Sequence, residues 1–421
     1  MNRKPVFLLF FYLLFAGALM NALPVQSQKS KKPAKPLEAK DVFDLEKLKR
    51  IDVLLKNAIA SEALPSAVCM ITFRGEPIYF KAFGDAVRED KGKALTKDAI
   101  FRNASQTKLV TTVALMTMYQ DGMFSLEDPV KKYLPEFANP VVRVSGSTEG
   151  KNLVTRPAKG DITIRQLLCH SSGISYDNYG QDLEVIRYAN QITTAEAVSR
   201  MAKIPLRHDP GAGYTYGYGL DVAGHLAEVI SGIRLDSLIK VRVLTPLAME
   251  NSWFYLPKNQ QKRLIPVYTK PDKDSPVMLA DSIDRFYPLN PSPTYYGGGA
   301  GLCGTIEDYS HICQMILNQG IYGGKRFLNR KIVEMMTTDQ LFGVDGNHQF
   351  GLGLDIATQE TFARTMKTPG SLRWGGYFGT EYFIDPKYQV VALLYTNKVN
   401  WYNKQDVWGD VLRMMYMSLA R

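Results

Sequence analysis

Near each end of the chain, mostly apolar stretches of four to seven residues come in pairs, separated by a short turn. Residues 67–73 and 78–83 flank Arg74-Gly-Glu-Pro77, and residues 381–384 and 389–395 flank Asp385-Pro-Lys387. Apolar runs around a Gly/Pro turn predict two β-hairpins. Elsewhere the apolar period lengthens to that of a helix, over 42–60, 105–121, 163–169, 194–201, 221–230, 235–243, 306–317 and 405–419. Strands gathered toward both ends, with helices between them, predict an α+β fold in which one antiparallel sheet is built from both chain termini and flanked by helices. No internal repeat is visible. The folded part of about 380 residues exceeds a usual single domain. The expected division is a sheet subdomain (about 41–100 and 297–421) with a mainly helical subdomain (about 101–296) inserted in it.

Composition changes the picture at the N-terminus. Arg3 and Lys4, an apolar run over 6–20, and small and polar residues up to Ser27 have the layout of a secretory signal peptide, 1–27. The run is shorter than the ~20 residues that span a bilayer. The mature chain is therefore expected to be exported, periplasmic or secreted, with no stable membrane span. Residues 28–40 form a basic, Pro-containing linker. Of the net charge of +10, two charges leave with the signal and four belong to the linker, so the body keeps +4. A lysine tether without interleaved aromatics is not a nucleic-acid surface, and no nucleic-acid partner is expected. Cys69, Cys169, Cys303 and Cys313 lack paired spacing, and the five histidines are isolated. Buried free thiols, no metal and no cofactor are expected.

The candidate chemistry starts at Phe101-Arg-Asn-Ala-Ser-Gln-Thr-Lys108. Ser105 and Lys108 share a helical face at the head of an apolar helix. Burial would lower the lysine pKa and let a neutral amine take the hydroxyl proton. A chain of this length holds on the order of one or two Ser-x-x-Lys matches by chance. The second match, Ser237-Leu-Ile-Lys240, lies in an ordinary amphipathic surface pattern. There is no G-x-S-x-G, so the α/β-hydrolase elbow is absent. Tyr214, Tyr216 and Tyr218 sit on a Gly-rich turn, where a phenolate beside a cationic lysine is an alternative base and simple packing is the other reading. At Arg373-Trp374-Gly-Gly-Tyr377, the glycines allow a ligand close to strand backbone, or else mark a bulge.

Together these phrases resemble the superfamily of serine β-lactamases, penicillin-binding proteins and esterases, particularly its class C-like, esterase-type branch. Ser105-Gln-Thr-Lys108 resembles the first motif, Tyr216-Gly-Tyr218 the Tyr-x-Asn motif, and Trp374-Gly-Gly376 the Lys-Thr-Gly motif. Residues 163–173 and 297–305 resemble scaffold phrases of the same family. The resemblance implies a β-lactamase/transpeptidase-like fold, Ser105 as nucleophile, and Lys108 and Tyr216 as the proton-transfer pair. It implies an oxyanion hole from the backbone N–H groups of Ser105 and Tyr377, and a substrate-binding role for Tyr218, Trp374, Gly375 and Gly376. Tyr218 replaces the family's amide and Trp374 its cation, a pattern similar to the esterase members. The expected activity is hydrolysis of a small ester, with a β-lactamase or D-alanyl-D-alanine carboxypeptidase acting on a cell-wall-derived amide as the enzyme alternative. A non-turnover binding or sensor protein is the alternative of another class.

Overall fold

The apolar run at Ala67–Phe73 becomes strand β1, buried at every position because the sheet it joins is covered on both faces. The computed structural model describes residues 37–90, 92–146, 153–177, 192–280, 288–289, 294–403 and 405–420. The expected signal peptide and most of the linker lie outside these residues. Ala39–Arg421 packs as one unit. Its largest sheet contains β1, β2 (Glu76–Phe83), β3 (Gln349–Phe350), β4 (Asp355–Ile356), β5 (Leu372–Gly376), β6 (Thr380–Asp385) and β7 (Val390–Tyr395), in spatial order β3-β4-β5-β6-β7-β1-β2. All its pairs are antiparallel. Val68 lies opposite Tyr395 and Phe73 opposite Val390, so the N-terminal and C-terminal hairpins join at β1 and β7.

Side chains alternate across this seam as strand geometry requires. Val68, Met70, Val391, Leu393 and Tyr395 enter one core, and Cys69, Ile71, Phe73, Val390, Ala392 and Leu394 enter another. The helices include α1 (Arg50–Ala60), α2 (Thr107–Gln120), α3 (Ile164–Leu168), α4 (Thr194–Met201), α5 (Gly219–Ser231), α6 (Leu235–Ile239), α7 (Ile306–Leu317) and α8 (Val407–Met417), with short further helices at Ala39–Val42, Leu45–Leu48, Arg330–Met336 and Gln359–Thr365. The first core packs the sheet against α2 to α7; α1 and α8 cover the opposite face. Helix α2 is buried at every position from Thr107 to Met118, so its N-terminus is held rigidly.

Local chemistry adjusts the expected boundaries. The helix expected over 42–60 is broken, because Asp44 accepts from the Lys47 N–H as a cap and Phe43 forms a β-bridge with Leu419. Pro77 lies inside β2, which tolerates it as an edge strand. The stretch 235–243 stays helical only to Ile239 and then widens into a π-turn, Lys240–Leu244. All four cysteines are free and buried. Among the described residues no His/Cys/Asp/Glu group fit to hold a metal occurs, and no helix is long and apolar enough to cross a membrane.

Candidate active site

Ser105 does not sit in the α-helix itself but in a 3₁₀ turn, Ala104–Gln106, that leads into α2. Ala104 takes φ +46°, a region costly for a residue with a Cβ. A buried polar web fixes the turn from behind. The Asn103 N–H donates to the Leu302 carbonyl at 3.0 Å, and Asn103 Nδ2 donates to Tyr395 Oη at 3.0 Å. Tyr395 donates to Gln106 Oε1 at 2.6 Å, and Tyr309 to the Gln106 carbonyl at 2.9 Å. Within this buried stretch Ser105 alone is partly open.

Lys108 is 1% exposed, one helical turn along. Its Nζ lies 3.4 Å from Ser105 Oγ and donates to the Gly299 carbonyl at 2.8 Å and to Tyr176 Oη at 2.9 Å. The Gly299 N–H in turn donates to Asp221 Oδ1 at 3.1 Å. A Cβ on Gly299 would overlap the Asp221 carboxylate, so glycine is what lets this loop pass between α2 and α5. Burial opposes the Lys108 charge, but the oxygens of Tyr176, Tyr216 and Asp221 outweigh it and push its pKa up. That direction runs against the lowered pKa expected from burial alone and favours the ammonium form of Lys108.

The Gly-rich turn before α5 delivers Tyr216, whose hydroxyl donates to Ser105 Oγ at 2.6 Å. Its ring is wedged between His170 at 4.7 Å, Tyr176 at 5.4 Å and Trp374 at 5.2 Å between centroids. His170 is buried with neither ring nitrogen hydrogen-bonded among the described residues. Burial, with the Lys108 charge nearby, holds its pKa well below that of free histidine. It serves as a neutral wall. Tyr218 is 8% exposed and rests edge-on against Tyr176 at 4.6 Å; it backs the site more than it faces a ligand.

Strand β5 closes the other side. Trp374 packs on Tyr216 and Phe350. A Cβ on Gly376 would overlap the Asn103 carbonyl and Thr380 Oγ1, so β5 runs hard against the Ser105 turn and brings the chain at Tyr377 alongside it. Tyr377 is 49% exposed. Arg373 pairs across from Phe383, which belongs to the α8 side of the sheet, and its guanidinium forms an ion pair with Asp355 at 2.6 Å. It faces away from Ser105. The arrangement can pass a proton from a hydroxyl to a phenol oxygen beside a fixed cation, under aromatic walls.

The family model described as Beta-lactamase matches residues 51–412. The chain belongs to the Beta-lactamase family. Esterase EstB of Burkholderia gladioli is 28% identical over 376 residues, which is 83% of this chain and 90% of that protein. A monacolin J acid methylbutanoyltransferase of Aspergillus terreus is 26% identical over 385 residues, 83% and 91% of the two chains. The solved structure of EstCE1, a hydrolase with promiscuous acyltransferase activity, superposes with a TM-score of 0.71 at 23% identity, covering 88% of this chain and 99% of that one. That likeness concerns the fold, which is the β-lactamase/transpeptidase fold.

Within this β-lactamase-family site, Ser105, Lys108, Tyr216 and Trp374 converge as the sequence motifs suggest. Three participants lie outside the three catalytic motif phrases. Tyr176 reaches Lys108 across 68 positions of chain, the Gly299 carbonyl is a backbone group, and Asp221 is a buried helix carboxylate whose pKa burial raises against the pull of Lys108. The only sequence hints were the glycine run at 297–301 and an aromatic following Gly173-Ile-Ser.

Proposed function

We propose that this protein is an exported serine hydrolase that cleaves small uncharged esters through an acyl-enzyme on Ser105. The observation that carries the reading is the 2.6 Å contact between Tyr216 Oη and Ser105 Oγ, with the Lys108 ammonium 3.4 Å from the same Oγ. Ser105 Oγ bonds to the ester carbonyl carbon as Tyr216, in its deprotonated form, takes the hydroxyl proton. Lys108 offsets the negative charge passing between the two oxygens. The backbone N–H groups of Ser105 and Tyr377 receive the carbonyl oxygen. Tyr216 gives the proton to the departing alkoxide, then takes one from the water that releases the acid. Export rests on the basic, apolar, then small-residue order of residues 1–27.

The choice of ester over β-lactam or peptide follows from Trp374. Both of the latter carry a carboxylate near the reactive carbonyl, and desolvating it without a cationic partner costs several kcal/mol. Arg373, held by Asp355 on the far face, cannot supply that partner. The esterase name of the Burkholderia gladioli relative supports the same reading. A panel of aryl acetates and butyrates, a chromogenic cephalosporin and a D-Ala-D-Ala peptide tests it. The kcat/KM for the ester is expected to exceed that for the cephalosporin by at least ~100-fold. Trp374→Lys narrows the gap. Cephalosporin turnover matching the ester would overturn the assignment in favour of a β-lactamase, and acylation without release would favour a binding protein.

A further inference from the structure

The hydrogen bond from Lys108 to Tyr176 leaves one proton unaccounted for. An ammonium only donates, so in the 2.9 Å contact Tyr176 Oη is the acceptor and its own O–H points elsewhere. Among the described residues that contact is the one hydrogen bond of the Tyr176 hydroxyl. The ring is fixed, edge-on to Tyr218 at 4.6 Å and to Tyr216 at 5.4 Å. Yet Tyr176 is 41% exposed, so this fixed side chain is also open to solvent. Because Lys108 Nζ touches both oxygens, Tyr176 Oη lies no more than about 6 Å from Ser105 Oγ. Two covalent bonds through an ester carbon to its alkoxy oxygen, plus one hydrogen bond, cover about that span.

We infer that Tyr176 is a further catalytic residue, donating a hydrogen bond to the alkoxy oxygen of the ester under attack. The inference rests on the esterase reading and extends it to the leaving group. Tyr176 borders Lys108 and Tyr216, the pair that handles the proton, and the alkoxy oxygen must come to that pair to be protonated. As the Oγ–carbon bond forms and the carbon–alkoxy bond breaks, the proton taken from Ser105 passes from Tyr216 to the alkoxide. Tyr176 keeps its own proton and lends it as a hydrogen bond to the charge growing on that oxygen. The Lys108 ammonium polarises the phenol and strengthens it as a donor. In the Tyr-x-Asn phrase Tyr218 stands where the family has its amide, and its ring packs edge-on against Tyr176; the Tyr176 hydroxyl, from a separate segment, lies beside the lysine.

The test is a leaving-group series on Tyr176→Phe, which keeps the ring contacts and removes the hydroxyl. For esters of alkanols, whose alkoxides need stabilising, kcat/KM is expected to fall about 30-fold or more. For nitrophenyl esters, whose leaving group needs little help, the fall is expected to be at least about tenfold smaller than for the alkanol esters, since only the loss of the Lys108 contact is then felt. An equal loss on both classes would show that Tyr176 merely holds Lys108, and no loss on either would remove it from the reaction; each overturns the inference. Tyr216→Phe, by contrast, should lose both classes, so the failure of the base assignment is separable. The same series on unaltered protein gives a second check that survives a variant that fails to fold. A shallow dependence of kcat/KM on leaving-group basicity is expected, and a steep one would overturn the inference. Absence of turnover on every ester in the series would sink the esterase reading and this inference with it.

Discussion

Ser105-x-x-Lys108 and Ser237-x-x-Lys240 are the same pattern in two environments. Ser105 follows a residue at φ +46°, its lysine is 1% exposed, and a phenol from another segment reaches it at 2.6 Å. Ser237 lies within α6, and its Oγ meets Asp236 at 3.4 Å, a carboxylate already engaged by Arg234 at 2.6 and 2.8 Å. Lys240 is exposed at the start of the π-turn. Spacing brings a hydroxyl and an amine to one helix face in both places. What differs is everything supplied from elsewhere: three oxygens that hold Lys108 charged in a buried site, and a rigid entry turn. Reactivity here is a property of the assembly of remote segments.

The sharpest way to break that contrast is covalent labelling. A fluorophosphonate probe should mark Ser105 and spare Ser237. Ser105→Ala should abolish labelling and lower ester kcat/KM by on the order of 10⁴-fold, while Ser237→Ala leaves both unchanged. Mass spectrometry of the labelled peptide decides it, and an adduct that persists in Ser105→Ala would put the nucleophile elsewhere. Next in size come the groups that distinguish the two copies. Lys108→Ala and Tyr216→Phe should each reduce kcat by roughly 10²–10⁴-fold with smaller changes in KM, since both act mainly in the transition state. Their double variant should be little worse than either alone. Additive losses would mean that the two side chains do not work as one unit.

Much of this was legible in the chain because its physics is local. Residues 67–73 read as a hairpin strand because a short apolar run meets a Gly/Pro turn, and the Ser105, Tyr216 and Trp374 phrases kept recognisable spacing. The charge state of Lys108 was not legible. Burial alone argues for a neutral amine, and only the fold brings Tyr176, Gly299 and Asp221 to it. The placement of Ser105 in a 3₁₀ turn escaped notice for a related reason: the apolar period begins at the helix, whereas the turn is set by contacts to Leu302, Tyr309 and Tyr395. The two glycines of β5 were expected either to serve ligand access or to mark a bulge. Their close contacts with Glu381 and with Asn103 and Thr380 give packing as a sufficient physical reason for them.

That packing supplies the smallest test, on the strand that runs against the Ser105 turn and has no counterpart at Ser237. Glu381 pairs with Gly375 on β5, and its carboxylate lies so close that any Cβ at Gly375 would overlap it. Burial pushes the Glu381 carboxyl up from 4.5 to about 7, against the opposing pull of Arg373 and Lys367. With the folded pKa above the unfolded one, this group's contribution to stability is fully present below pH 4.5 and is lost as pH rises through about 7. Glu381→Gln removes that dependence. Its melting temperature should match the unaltered protein's at pH 4, pull ahead across the window from 4.5 to 7, and hold a constant lead at pH 8. The lead corresponds to at most about 3 kcal/mol. Ser237→Ala, on a surface helix without a buried carboxyl neighbour, should shift stability by under about 0.5 kcal/mol at either pH. A Glu381→Gln lead of the same size at pH 4 as at pH 8 would show that shape, not charge, is what Glu381 brings to the floor beneath β5.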